Sequence, residues 1–156
     1  MITALDTNIL LDLLLPDEPH GEAAERALAQ AARGGAVVIC EPVYAELAHS
    51  FQSQAGVDAF LTDTGVRLLP SLPAALYAAG EAWRAHTRRR PTLVACPRCG
   101  NEQDARCERC AAPLRPRQHL VADFMIGGHA LIQADRLLTR DRGYYRTYFP
   151  RPALPV

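Results

Sequence analysis

The chain has 156 residues, 49% apolar and 22% charged, with no net charge at pH 7, enough for one α/β core and too little for two. No apolar run reaches the ~18 residues of a membrane span, and the opening MITALDTN has no basic stretch and already carries Asp6, which argues against a secretory signal. The expected setting is therefore cytoplasmic.

ITAL (2–5) is a short apolar run ending at Asp6 and reads as a buried strand. Ile9, Leu10, Leu13 and Leu14 recur at helical spacing and stop at Pro16. An Ala-rich helix over about 19–33 ends at Gly34-Gly35. AVVIC (36–40) is β-branched and reads as the next strand, and Glu41-Pro42 opens a helix through Val43, Leu47 and Phe51. A short helix near 57–62, a strand VRLLP (66–70) and a helix over 73–87 carrying Trp83 follow. Residues 88–118 are rich in Arg, Pro and Cys and show no useful helical or strand period. A helix over 119–134, a strand RLLT (136–139), Asp141 and an aromatic, then Pro-rich tail complete the chain; a short helix and an edge strand are expected in that tail. Alternating strands and helices predict a mostly parallel sheet covered on both faces. Residues 90–117 are expected to be an insert in a domain spanning 1–150, with 151–156 as a tail.

In open α/β sheets, ligands bind beyond the carboxyl ends of the strands. Asp6 follows the first strand and Asp141 follows the last by one residue. Glu46 lies in the helix after AVVIC, and Asp123 lies in the first turn of the helix after the insert. Four acids from four elements thus have one meeting place. Such a cluster repels itself and takes up protons unless a hard cation neutralises it. Mg²⁺ or Mn²⁺ takes oxygen ligands, acidifies bound water and stabilises charge on phosphorus, which points to phosphodiester hydrolysis. Each acid alone also reads as a helix cap or surface residue.

LDTNILLDLL, PVYAEL, ADFMIGGHAL and LLTRDRGYYRTYF, in that order and spacing, resemble the PIN-domain family, most closely its VapC-type toxins. The likeness covers nearly all of the chain except about 90–117. It implies a three-layer α/β/α fold and a divalent-metal endoribonuclease acting on RNA. It also implies silencing by a cognate antitoxin that blocks the carboxylate cleft, with a basic side chain inserted there. Carried over by position, the catalytic and metal-binding acids are Asp6, Glu46, Asp123 and Asp141. Asn8, which orders Asp6, and Thr139, beside Asp141, are accessory. Asp12, Asp63 and Asp135 match no catalytic position and read as surface or structural. The alternatives are a PIN-type RNA-processing nuclease without an antitoxin, and a non-catalytic RNA-binding module.

Cys96-x₂-Cys99-x₇-Cys107-x₂-Cys110 is the pattern of two metal knuckles. Zn²⁺ favours four thiolates in a tetrahedron, and such a closed site is structural, not catalytic. A redox dithiol lacks its usual strand–helix context, whereas spacing alone leaves an iron–sulfur centre open. Gly100 suits the turn after the first knuckle; Ala111 suits the second less well. All seventeen basic residues are Arg, and nine of them lie between Arg84 and Arg117 against Glu102, Asp104 and Glu108. Arg88, Arg89, Arg90, Arg98, Arg115 and Arg117 are candidates for gripping RNA phosphates; a homodimer contact, an antitoxin contact or a solvated face fits them too. Cys40 reads as a buried thiol, His129 as a packed residue, and Tyr144, Tyr145 and Tyr148 as core before base-stacking groups. Gly127 and Gly128 weaken a helix by roughly 1 kcal/mol each and imply close packing there.

Overall fold

The computed structural model describes residues 1–15, 20–88, 93–96, 98–99, 101–113 and 121–150. Its central sheet has four parallel strands: β1 (Ile2–Leu5), β2 (Ala36–Ile39), β3 (Val66–Leu68) and a late strand, here β6 because the hairpin strands β4 (Leu93–Ala95) and β5 (Glu102–Asp104) precede it, at Arg136–Leu138. Their order is β3-β2-β1-β6. The helices are α1 (Thr7–Leu14), α2 (Gly21–Gly34), α3 (Glu41–Ala48), α4 (Gln54–Thr64), α5 (Pro73–Arg88), α6 (Val121–Gln133) and α7 (Arg142–Tyr148). The chain steps outward from β1 to β3 and then returns to β6. Right-handed crossovers accordingly place the helices of the two legs on opposite faces.

The central strands are near-continuous apolar runs, as a sheet buried on both faces requires. Ala4, Leu5, Val37, Val38, Ile39 and Leu137 are each at most 3% exposed. Phe124 of α6 is wholly buried and makes edge contacts with Trp83, Tyr144 and Tyr148. The tyrosines therefore pack, as expected. Tyr144 and Tyr145 are buried, and Tyr148 turns its hydroxyl to His86 Nδ1 at 2.9 Å.

Two glycines make the helix packing possible. A Cβ on Gly128 would stand 2.4 Å from the backbone oxygen of Ala75 in α5, and one on Gly127 would stand 2.2 Å from the Phe149 ring. The close packing expected of this helix is present. Cys40 is also buried, at 1% exposure, and burial pushes its thiol up to about 12. His129 is 1% exposed; burial lowers its basicity, with Glu41 acting in the opposite sense.

Several expectations need correction. Helix α3 ends at Ala48, so Phe51 lies beyond it and packs on Phe60 instead. Helix α4 is longer than the predicted 57–62, because the Ser53 hydroxyl caps it from Gly56 N–H at 3.2 Å and Gly65, at φ 68°, ends it. The 88–118 segment is not without strands: β4 and β5 pair antiparallel, with Leu93 opposite Asp104. Three-residue strands are too short for a period to show. Of the acids read as surface or structural, Asp12 falls on the structural side: it is 3% exposed and pairs with Arg140. Asp135 is structural, accepting the Ile2 N–H at 2.7 Å. Pro16, Gly100 and the tail 151–156 lie outside the described residues, and within them no edge strand follows α7.

Candidate active site

The register of β1 on β6 builds the centre of the site. Leu5 pairs with Leu138, so Asp6 and Thr139, the next residues out, stand side by side at the carboxyl edge. Thr139 Oγ1 donates to Asp6 Oδ2 at 2.6 Å, and Asn8 Nδ2 donates to the same oxygen at 2.7 Å. Asn8 Oδ1 in turn accepts the Arg140 N–H at 3.2 Å, and Thr139 Oγ1 accepts the Asp141 N–H at 3.0 Å. Two side chains from distant sequence thus hold one carboxylate and the loop bearing a second.

Asp6 occupies the N-cap position of α1, yet its side chain makes no capping bond. The capping explanation for this acid therefore fails, whereas for Asp141 it holds in part: Oδ1 accepts the Tyr144 N–H at 3.3 Å at the start of α7. Glu46 projects from α3 and accepts a short hydrogen bond from the Thr7 hydroxyl. Asp123 sits in the first turn of α6, half-buried. Asp6, Asn8, Glu46, Asp123 and Asp141 line one cleft of about 390 Å³, with Tyr145 and Arg140 on its walls. Thr139 supports it from behind. All four acids expected from the sequence are thus brought to one place.

The electrostatics of this cleft favour a cation. Asp6 is 7% exposed, and its carboxyl is pushed up to about 6. Burial is the main cause; the Thr139 hydroxyl and Thr7 N–H pull it back, while Asp123 and Glu46 push it further. An ionised Asp6 is costly here unless positive charge arrives. The donors are all oxygen, the set that suits a hard divalent ion keeping several waters. Among the described residues no three His, Cys, Asp or Glu side chains are grouped closely enough to hold a metal ion; the acids are spread along the cleft wall.

Sequence reasoning missed Thr7 and the Asp12–Arg140 pair. Thr7 adjoins Asp6 and Arg140 adjoins Asp141, but neither has a spacing of its own to mark it. Asp12 falls on the apolar side of α1, and that was its only signal.

The cysteine segment forms two similar turns. Cys96 N–H donates to Asn101 O at 2.9 Å, and Cys107 N–H donates to Ala112 O at 2.9 Å, each closing its knuckle over the same number of residues. The Cys96 thiol is lowered by N–H groups of Arg98 and Cys99 and by the Cys99 side chain. The Cys107 thiol is lowered by N–H groups of Cys110 and Arg109 and by the Cys110 side chain. Ala111 adopts φ 58°, the left-handed turn that a glycine would take more cheaply. Arg88 and Arg98 are exposed; Arg89, Arg90, Arg115 and Arg117 lie outside the described residues.

The sequence matches the PIN domain family over residues 3–150. No curated protein matches it in sequence. Among solved structures it is similar to VapBC2 from Rickettsia felis bound to a DNA fragment from their promoter, with TM-score 0.62 and 16% identity over 99% of this chain and 98% of that one. It is similar to VapBC-1 from nontypeable Haemophilus influenzae, with TM-score 0.62 and 19% identity over 99% and 97%. It is also similar to VapC20 from Mycobacterium tuberculosis, a toxin cleaving the Sarcin-Ricin loop, with TM-score 0.57 and 13% identity over 98% and 99%. At these identities the likeness establishes the fold. Among the described residues no helix is long and apolar enough to cross a membrane.

Proposed function

The chain belongs to the PIN-domain family, and from that premise we propose that it is a divalent-metal-dependent endoribonuclease, the toxin of a toxin–antitoxin pair. One observation carries the proposal: Asp6, Glu46, Asp123 and Asp141, from four separate elements, line a single cleft at the carboxyl edge of the sheet. The solved VapBC assemblies and the Sarcin-Ricin-loop-cleaving VapC20 share this fold, which supports a protein antitoxin and an RNA substrate.

Asp6, Glu46, Asp123 and Asp141 would hold Mg²⁺ or Mn²⁺. Bound there, such an ion supplies an acidified water and a counter-charge for the transferring phosphorus. Thr139 and Asn8 hold Asp6 by two donated bonds to one oxygen, which fixes its rotamer. The Thr7 hydroxyl does the same for Glu46. Asp141 is positioned through its own N–H on Thr139 and through the cap of α7. These bonds pre-organise the carboxylates before substrate arrives, and it is fixed orientation that converts binding into rate. A carboxylate at the cleft rim, exposed to solvent and not engaged in a helix cap, is suited to orient the attacking water; Glu46 and Asp141 are both exposed, and Asp141 caps α7, which leaves Glu46.

The four cysteines would hold one structural Zn²⁺. N–H groups aimed at sulfur stabilise the thiolate, the form that binds zinc. Zinc would also supply the folding free energy that so short a hairpin pair lacks. Its closed four-sulfur shell leaves catalysis to the carboxylates. The hairpins favour one second reading, an RNA-processing PIN nuclease without an antitoxin, in which the insert and its Arg residues grip RNA.

The test is incubation of the purified chain, freed of any partner, with structured and unstructured RNA in Mg²⁺ or Mn²⁺, beside Asp6→Asn. Metal-dependent cleavage lost in the variant supports the proposal. Equal cleavage by both would overturn the site, and no cleavage by folded protein would favour a binding module.

A further inference from the structure

Arg140 stands on the wall of an otherwise anionic cleft, next to Asp141, and nothing in the proposed carboxylate machinery uses it. Its Nε lies 3.1 Å from Oδ2 of Asp12, and Asp12 is 3% exposed, whereas the Arg140 side chain remains 44% exposed. A carboxylate this buried is costly unless paired, and placing it on α1 to meet an Arg from the end of β6 needs a reason. The pair is asymmetric: the acid is sealed in, and the arginine side chain is half-exposed. The contact is an ion pair and not a hydrogen bond, since Asp12 Oδ2 has no hydrogen-bond partner among the described residues; the backbone of the same arginine is fixed by a hydrogen bond, Arg140 N–H donating to Asn8 Oδ1 at 3.2 Å. The arginine is therefore anchored at both ends beside the site.

We propose that Arg140, oriented by Asp12, is a phosphate-binding residue that takes a non-bridging oxygen of the RNA backbone in the carboxylate cleft. This rests on the nuclease reading above. Four acids without a cation of the protein's own repel a polyanion, and a guanidinium fork presents its donors in the plane that phosphate oxygens match. With Nε facing Asp12 and the side chain half-exposed, the guanidinium keeps its donors for the substrate. Asp12 is a positioning residue: it touches no substrate and acts through the angle at which it holds Arg140.

The experiment measures binding of a labelled single-stranded RNA in the Asp6→Asn background, so that cleavage does not intervene, across 50–300 mM KCl. Each phosphate contact contributes a slope of roughly 0.7 to log affinity against log salt for single strands. Arg140→Met should lower that slope by about 0.7 and weaken binding about five- to twentyfold at the lowest salt, for every RNA sequence alike. Arg140→Lys should restore the slope but not the full affinity, because a point charge replaces the fork. Asp12→Asn, which keeps the Arg140 charge and loosens its anchor, should weaken binding a few-fold with the slope retained. Circular dichroism melts identify any variant that has lost its fold; a purely structural Asp12–Arg140 pair would change those melts and leave the salt slope intact. An unchanged slope in folded Arg140→Met overturns the proposal. Absence of RNA binding in the folded Asp6→Asn parent overturns the nuclease reading along with it.

Discussion

Thr139 Oγ1 donates to Asp6 Oδ2 at 2.6 Å across the parallel β1–β6 ladder, and Thr139 Oγ1 itself accepts the Asp141 N–H at 3.0 Å. One hydroxyl therefore orients two of the four acids. Thr139→Val keeps the shape and removes the donor. Supporting bonds of this kind are typically worth 10- to 100-fold in metal affinity or activity. Thr139→Val should lose RNA cleavage by that factor at limiting Mn²⁺, with part of the loss recovered as Mn²⁺ is raised; a cleavage assay at several Mn²⁺ concentrations reads both.

Asp6 links stability to pH. Its carboxyl is held at about 6 in the fold, above the ordinary 3.8, so the folded protein binds that proton more tightly than the unfolded chain. The associated stability is complete below pH 3.8 and is lost as pH rises through about 6. At pH 7.5 without added divalent ions, the ionised group costs on the order of 3 kcal/mol. Asp6→Asn should raise Tm by several degrees under those conditions, and the gain should shrink as pH falls toward 4. Added Mn²⁺ should stabilise only the wild type and narrow the gap. Calorimetry over this pH range follows both effects.

Gly128 and Gly80 should respond to alanine with opposite signs. At Gly128 the new Cβ meets the Ala75 backbone oxygen at 2.4 Å, and backbone does not move aside cheaply; at Gly80 in α5 nothing lies within 4 Å. Gly128→Ala should destabilise by about 1–3 kcal/mol or more, while Gly80→Ala should stabilise by about 0.5–1 kcal/mol. Urea denaturation of the two variants decides it.

The cysteine turns should carry metal independently of the cleft. Purified protein should contain one equivalent of zinc by elemental analysis. Cys96→Ser or Cys107→Ser should lose most of it, and Cys40→Ser, at a buried strand end, should not. Cleft variants such as Asp123→Asn should leave the zinc content unchanged.

The sheet was legible because its strands are short apolar runs ending at punctuation: Asp6 after ITAL, Cys40 and Glu41 after AVVI, Asp141 just past RLL. The four acids followed from that, since parallel strands end on one edge. What depends on register and packing was not legible. Nothing in the spacing shows that Thr139 meets Asp6, that Thr7 reaches Glu46, or that Asp12 turns inward to Arg140; those follow from the pairing of Leu5 with Leu138 and from the packing of α1. The three-residue strands of the cysteine hairpin were missed because Leu93–Ala95 and Glu102–Asp104 are too short to display alternation.

The most direct test of the carboxylate cleft is Mn²⁺ binding at pH 7.5 by isothermal titration, on zinc-loaded wild type and on Asp6→Asn and Asp123→Asn. The account predicts one or two Mn²⁺ per wild-type chain, lost or weakened at least tenfold in both variants while their zinc and fold are retained. Equal Mn²⁺ binding by all three proteins, or none by the wild type, would contradict it.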